Sequence, residues 1–328
     1  MNRIFTALLA VAATLTLSAA VHADAAFQPN ARDILETLPR IPEAYAQPAE
    51  QQGQLVRLDY DTWESFTYDE HIQRLTKTAW VYLPYGYTPD ERYNIFYYMH
   101  GGWSNETSTL GTDAHPMPFK HAIDHAIQDG LMQPMIIVCP TYNNSSGEDS
   151  GNYSLALQLT DRYHNELVND LMPTVESRYS TWVEATTPEG LRASRDHRGF
   201  GGFSMGSVTT WHTFRYCLDY FRYFMPMSGN MSDGGWAAET VRASGCTPED
   251  FFIFTATGTE DFAGAAFTMQ INSMVTRYGD VFRLADNERN GNLSFRLREG
   301  GTRGGRDAMD YSFAGLCWFW NDDVRSSR

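Results

Sequence analysis

The sequence predicts an α/β fold with a mostly parallel central sheet, helices on both faces and antiparallel N-terminal strands. The main observation is that apolar runs of buried-strand length alternate with helix-like segments, as in chains that form parallel βαβ units. A second is the glycine-rich turn around Ser204, which joins an apolar run to a helix-like stretch. The predicted buried strands span residues 93–99, 135–139, 224–227, 251–256 and 293–297.

Two further segments complete the predicted framework. Residues 76–83 alternate apolar and polar side chains and stop before Pro84, which is typical of an antiparallel strand with one solvated face. The longest helical pattern covers residues 155–179, where Leu167, Leu171 and Val175 are spaced four apart and therefore share one helix face.

The pentapeptide G-x-S-x-G at residues 202–206 lies between the apolar run 198–201 and a helix-like stretch at 207–220. A sharp strand-to-helix turn needs small residues on both sides of the serine, which it raises above the sheet at the positive end of the helix. This context is the nucleophile elbow of an α/β-hydrolase, so Ser204 is the predicted nucleophile.

An acyl-transfer site also needs donors for the oxyanion and an acid that orients a base. The backbone amide of Met205 is one predicted donor, and that of Gly102, in the turn after strand 93–99, is the other. His100 is expected to tie down this turn by hydrogen bonding. Asp261, which follows the strand at 251–256, is the predicted triad acid, with Glu260 as its rival.

The chain begins with Arg3, an apolar stretch and a small-residue site, which predict a secretory signal at residues 1–23 cleaved after Ala23. We therefore expect a secreted or periplasmic protein. Residues 24–53 form a predicted N-terminal arm, and residues 54–328 form a single α/β-hydrolase domain.

A formal net charge of −15 argues against nucleic-acid and membrane-surface partners, because such a surface repels phosphate groups. The four cysteines contain no C-x-x-C pair, so a metal site has little support, and no cofactor is expected. Cys139 and Cys317 are predicted core residues, whereas a disulfide between Cys217 and Cys246 is left open.

Beyond these motifs, the chain resembles the esterase group that contains the feruloyl and acetyl-xylan esterases of carbohydrate esterase family one, from about Ile41 to Trp320. The resemblance implies that Ser204 is the nucleophile and Asp261 the triad acid. It further implies that the substrate is an acyl ester on plant cell-wall polysaccharide or oligosaccharide. The segments that carry the resemblance are 81–87, 99–102, 165–167, 173–179, 201–206, 225–229 and 256–261.

The same resemblance locates a departure at the triad histidine. These esterases place the histidine after a glycine-rich turn just past the last strand, where this chain has Arg303, with Arg306 as the second candidate for that position. Arginine stays protonated and cannot act as a base; it is expected to form an ion pair with Asp261. The last histidine in the sequence is His212.

Three hypotheses therefore remain open: a serine esterase with impaired turnover, a silent homologue that binds carbohydrate or its esters, and an acyltransferase of the same superfold. Rescue by a histidine of the cluster 115, 121 and 125 is an alternative source of the base, whereas His197 and His212 are expected to pack around the elbow. Trp103, Tyr142 and Trp236 are predicted, with His100, to line the substrate pocket.

Overall fold

The structure is a computed structural model that describes residues 38–321. Eight strands form one sheet in this part of the chain. They are β1 (Gln54–Trp63), β2 (Arg74–Leu83), β3 (Asn94–Met99), β4 (Met135–Cys139), β5 (Arg198–Phe203), β6 (Tyr223–Met227), β7 (Phe252–Gly258) and β8 (Leu293–Arg298).

The strand order across the sheet is β1-β2-β4-β3-β5-β6-β7-β8. β1 pairs antiparallel with β2, and β2 pairs antiparallel with β4, whereas every pair from β4 to β8 is parallel. The predicted fold class is thus confirmed. Parallel strands present their carboxyl ends at one edge, and that edge is where α/β proteins bind ligands.

The α-helices of the described part connect these strands, except the last one, which follows β8. They are α1 (Pro118–Gln128), α2 (Tyr153–Glu166), α3 (Met172–Arg178), α4 (Pro188–Ala193), α5 (Met205–Cys217), α6 (Gly235–Ser244), α7 (Gly264–Arg277) and α8 (Gly305–Trp318).

Two hydrophobic clusters cover the two faces of the sheet. Phe96 and Tyr97 are neighbours in β3 and belong to different clusters, because successive strand residues point to opposite faces. The Tyr97 cluster includes residues of α2, α5, α6 and α7. The Phe96 cluster includes residues of α1 and α8. The sheet is therefore buried between two helical layers.

The structure differs from the predicted secondary structure in two places. The strand β1 had no counterpart in the sequence-based prediction; it alternates buried and exposed residues over most of its length and aligns Leu58 with Ala79 of β2. The long helical pattern is divided into α2, a π-helical turn at Leu167–Leu171, and α3. Pro173, near the start of α3, has no N–H to donate to the preceding turn, which accounts for the break.

The predicted arm is described only from residue 38 onwards, and the predicted signal segment at 1–23 lies outside the described residues. Arg40 in the arm forms ion pairs with Asp307 and Asp310 of α8, so this segment packs on the domain. All four cysteines are free thiols, and the disulfide considered between Cys217 and Cys246 is not formed. Between residues 38 and 321, no helix combines the length and apolar character that crossing a membrane requires.

Candidate active site

The predicted site residues converge at the carboxyl edge of the parallel strands. Ser204 follows β5, and its backbone N–H donates to the carbonyl of Met227 at the end of β6 (2.9 Å). Asp261 lies three residues beyond β7, and Arg303 lies five residues beyond β8. The three loops that follow β5, β7 and β8 therefore meet, because parallel strands place their carboxyl ends at the same edge of the sheet.

Ser204 occupies a strained turn. Its backbone φ is 62°, an uncommon value for a residue with a side chain. A Cβ atom on Gly202 would lie 2.3 Å from the carbonyl oxygen of Met99, and one on Gly206 would lie 2.2 Å from the same atom. Only glycine permits this approach of the turn to β3, so the structure explains both glycines of the pentapeptide.

The guanidinium of Arg303 joins Ser204 to Asp261. Its Nη2 donates to the Ser204 hydroxyl oxygen (2.6 Å), and its Nη1 donates to Asp261 Oδ1 and Oδ2 (2.8 and 3.1 Å). Nη1 also donates to the carbonyl of Ser228 (3.0 Å). The guanidinium thus takes the place that a base would need between the hydroxyl and the acid. The Arg306 side chain is exposed and makes no hydrogen bond within residues 38–321, so Arg306 is not the arginine of this site.

A buried ionic cluster holds the loop that carries Arg303. Asp307 accepts hydrogen bonds from the backbone and hydroxyl of Thr302 and from the guanidinium of Arg298. Burial raises the pKa of Asp307, but the Thr302 and Arg298 hydrogen bonds and that from Arg40 outweigh burial and hold the pKa at about 2. The loop is therefore anchored to the start of α8.

Asp261 rather than Glu260 supplies the acid of the site. The Asp261 carboxylate is fully buried and also accepts from the backbone N–H of Ala263 (2.8 Å). Glu260 is exposed, and its backbone donates to the Gly301 carbonyl instead. The two adjacent acids thus have different environments, because the turn after β7 directs only Asp261 toward the serine.

The turn after β3 is fixed by hydrogen bonds to one carbonyl. Gly101 lies beside Ser204, and its carbonyl oxygen accepts from the His100 imidazole (Nδ1, 2.7 Å) and from the Tyr142 hydroxyl (3.0 Å). In a trans peptide the next N–H, that of Gly102, points the opposite way. No hydrogen bond within residues 38–321 uses this amide.

The Met205 amide is the second predicted oxyanion donor. Met205 is the first residue of α5, and the N–H groups of a first helical turn have no acceptor within the helix. The amide is therefore available to a ligand oxygen near Ser204, at the positive end of a 13-residue helix.

His100 ties down this turn, as the sequence predicted, and it does not line the pocket. Its Nε2 accepts from the Thr141 hydroxyl (2.7 Å), and its ring stacks on Tyr142. Burial, with a smaller contribution from the Lys77 ammonium, lowers the pKa of His100 to about 4 against the opposing hydrogen bond to Gly101. The imidazole is therefore neutral at pH 7 and structural.

Sequence reasoning missed the ion pair that supports His100. Lys77 of β2 donates to the Thr141 carbonyl (2.7 Å) and to the Glu166 carboxylate (2.8 Å), and both charged side chains are almost completely buried. Burial raises the pKa of Glu166, although the Lys77 ammonium opposes the shift. A lysine inside an alternating strand is the only signal of this pair that the sequence contains.

Aromatic side chains flank the opening of the site. Trp103 is 74% exposed in the turn after β3, and Phe262, next to Asp261, is 84% exposed. The Arg303 guanidinium lies over the Phe262 ring at 4.4 Å and over Phe203 at 5.2 Å from the ring centroid. Phe262 was not predicted, although its position beside the triad acid was the available signal.

Two predicted pocket aromatics are corrected by the structure. Tyr142 is buried and acts through its bond to Gly101, because its ring packs under the turn. Trp236 packs on Trp211 and Phe214 in the middle of α5 and borders a cavity of about 420 Å³ near the far end of that helix. Tyr142 and Trp236 therefore do not line the opening at Ser204.

No histidine of the described chain forms a hydrogen bond with Ser204. His115 is exposed, and His121 and His125 lie in α1, on the opposite face of the sheet from α5. His212 Nδ1 lies 3.1 Å from Asp161 Oδ1, and His197 bonds to Asn94 at the other end of β3. The rescue hypothesis is therefore not supported by the geometry. Within residues 38–321, no three histidine, cysteine, aspartate or glutamate side chains form a cluster suited to a metal ion.

Comparisons with known proteins identify the family of this chain. The family model described as "Putative esterase" matches residues 73–265, which include the Ser204 turn and Asp261. The chain belongs to this esterase family. Its members are carboxylic ester hydrolases, and the predicted resemblance to the feruloyl esterase type is confirmed.

Two curated relatives carry the same domain within longer chains. Endo-1,4-beta-xylanase Y of Acetivibrio thermocellus is 36% identical over 288 residues, and the endo-1,4-beta-xylanase/feruloyl esterase of Xylanibacter ruminicola is 30% identical over 141 residues. The matches cover 86% and 41% of this chain, but only 24% and 17% of the relatives. This chain thus corresponds to a fraction of each relative.

Solved structures of similar size give a fuller match. A serine-to-alanine mutant of the feruloyl esterase module from Clostridium thermocellum, complexed with sinapinate, is 35% identical with a TM-score of 0.72. The alignment covers 87% of this chain and 94% of that one. The ferulic acid esterase of Anaeromyces mucronatus shares the fold at 18% identity, with a TM-score of 0.61 and coverage of 84% and 94%.

Proposed function

We propose that this chain is a serine carboxylic-ester hydrolase for hydroxycinnamoyl esters of xylan, with a turnover that Arg303 limits. The contact of Arg303 with both Ser204 and Asp261 is the observation from which we infer slow turnover. The substrate class is supported by the 35% identical feruloyl esterase module and by the xylanase relatives.

In the proposed reaction the Ser204 Oγ attacks the ester carbonyl carbon, and the oxyanion accepts hydrogen bonds from the Gly102 and Met205 amides. The sugar alcohol leaves, the acyl group remains on Ser204, and water hydrolyses this acyl-enzyme to the free acid. Arg303 can donate to the hydroxyl but cannot accept its proton, so solvent must take this proton and deliver one to the leaving sugar oxygen. Loss of a triad member lowers turnover by about 10⁴ to 10⁶-fold.

The discriminating experiment compares hydrolysis of methyl ferulate and nitrophenyl acetate by the chain and by two variants, Ser204→Ala and Arg303→His. We expect slow hydrolysis that depends on Ser204 and a gain of at least about 100-fold in Arg303→His, since imidazole supplies the base. A histidine is shorter than an arginine, so full recovery is not expected. Arg306→His is the matched control, because it places a histidine three residues away on the surface and should give no gain.

The silent homologue is the second candidate, and the same contact of Arg303 with Ser204 favours it. In that case the unmodified chain and Ser204→Ala are indistinguishable, while Arg303→His becomes active. The esterase proposal is abandoned altogether if Arg303→His is no faster than the chain itself and Ser204→Ala has no effect. Acyl transfer to a sugar hydroxyl stays a prediction that product analysis with an added sugar acceptor can test.

We also propose that the chain is exported, on the basis of the signal pattern at residues 1–23. Expression of the full gene with N-terminal sequencing of the mature protein tests this proposal. An N-terminus at Asp24 supports export, whereas an uncleaved chain retained in the cytoplasm contradicts it.

A further inference from the structure

Arg303 has hydrogen-bonding capacity that its contacts do not use. Nη1 donates to Asp261 and Ser228, and Nη2 donates once to Ser204. Within residues 38–321, no hydrogen bond uses Nε or the second Nη2 hydrogen of this side chain. Because 22% of the side chain is exposed, solvent and ligands can reach it. A guanidinium presents five N–H donors in a planar fork, which matches the two oxygens of a carboxylate.

Further donors lie around the same serine. The Gly102 amide points away from the hydrogen-bonded carbonyl of Gly101, and the Met205 amide has no partner within its helix. The Ser204 hydroxyl can donate as well, since Arg303 occupies only an acceptor position on its oxygen. The site therefore offers many donors, while the Asp261 carboxylate that Arg303 contacts is already paired and fully buried.

The arginine also changes the charge at the site. A neutral histidine beside an ionised aspartate carries a net charge of −1, which repels the acid formed by ester hydrolysis. Arg303 beside Asp261 gives a net charge of zero and leaves positively charged N–H groups unpaired. A carboxylate gains charge-assisted hydrogen bonds here, whereas an uncharged ester or amide gains only ordinary ones.

We propose that the Ser204 site is a receptor for the free carboxylate of an aromatic acid of the hydroxycinnamate class. The inference rests on the proposed function for the acyl class and adds that the free acid binds more tightly than its uncharged derivatives. Arg303 contacts the carboxylate, and the exposed rings of Phe262 and Trp103 flank the opening through which the aromatic group enters.

The test is calorimetric titration of the full chain with two probes, ferulate and the neutral primary amide of ferulic acid, which resists hydrolysis. We expect ferulate to bind at least about tenfold more tightly than the amide, as one charge-assisted hydrogen bond allows. Raising the salt concentration should weaken the binding of ferulate and leave the affinity for the amide unchanged. Equal binding of the two probes, or no binding of ferulate, overturns the inference.

Variants of Arg303 and Arg306 separate the effect of the Arg303 charge on ferulate binding from a loss of folding. Arg303→Gln should lose about tenfold or more in ferulate affinity while its affinity for the amide changes less than twofold. Arg306→Gln is the matched control, because it removes the same charge from an exposed position and should bind like the unmodified chain. If Arg303→Gln does not fold, Arg303→Lys, which keeps the charge, should retain the preference for ferulate; loss of that preference in a folded lysine variant counts against the inference.

The outcomes also distinguish this inference from the proposed function. If ferulate and the amide bind equally but Arg303→His hydrolyses methyl ferulate, only the carboxylate preference is wrong. If neither probe binds and Arg303→His is inactive on methyl ferulate, the proposed aromatic ester substrate is wrong, and the inference fails with it.

Discussion

Replacing His100 should remove a pH-dependent part of the stability of this protein. The imidazole Nδ1 must carry a proton, because its partner, the Gly101 carbonyl, can only accept. Nε2 is then the acceptor for the Thr141 hydroxyl. Protonation places a second proton on Nε2, which can no longer accept from the Thr141 hydroxyl, and puts a charge in a buried site near the Lys77 ammonium.

The change in unfolding free energy can be worked out from the shift in the pKa of His100. Burial lowers the pKa of His100 from 6.5 to about 4 in the folded protein. The folded pKa lies below the unfolded one, so the contribution is complete above pH 6.5 and is lost as the pH falls from 6.5 to 4. A shift of this size corresponds to about 3 kcal/mol of unfolding free energy, at about 1.4 kcal/mol for each pH unit.

Urea denaturation of the chain and of His100→Gln at pH 7, 6, 5 and 4 measures this contribution. Glutamine keeps a donor and an acceptor but does not titrate, so the difference in unfolding free energy between the two proteins should shrink by about 3 kcal/mol between pH 7 and pH 4. The exposed His115, changed to glutamine, provides the matched control. A difference that stays constant over this range refutes the reasoning.

Three other substitutions test the framework of the site. Lys77→Met leaves the buried Glu166 carboxylate without its cationic partner and should lower the unfolding free energy measured in urea by about 3–5 kcal/mol. Replacing both residues by apolar ones should restore part of this free energy. Gly206→Ala places a methyl group 2.2 Å from the Met99 carbonyl oxygen and should lower the melting temperature by several degrees, an expectation that an unchanged melting curve would contradict. Asp307→Asn removes the charge that holds the Arg303 loop and should increase amide hydrogen exchange in residues 300–304, while exchange in β1 stays the same.

Much of the framework was predictable because it depends on local sequence. The runs at 135–139 and 293–297 became β4 and β8 within one residue of their predicted ends. β4 is continuously apolar, as a strand buried on both faces requires, whereas the edge strand β8 alternates apolar residues with Ser294 and Arg296. The turn at Ser204 was predictable because only glycine fits beside β3. β1 was not predicted, although its buried Leu58 and Tyr60 alternate with charged residues in the same period-2 pattern that indicated the strand at 76–83.

The sequence by itself determined the α/β architecture, the strained serine turn, the acid after β7 and the absence of a histidine after His212. The tertiary structure decided which side chains meet. It brought the Arg303 guanidinium onto the Ser204 hydroxyl as well as onto Asp261, its expected partner, and it packed Trp236 of α6 against Trp211 in the middle of α5. Side-chain neighbours across a sheet depend on packing between segments far apart in the chain, and periodicity and motifs within one segment carry no information about that packing.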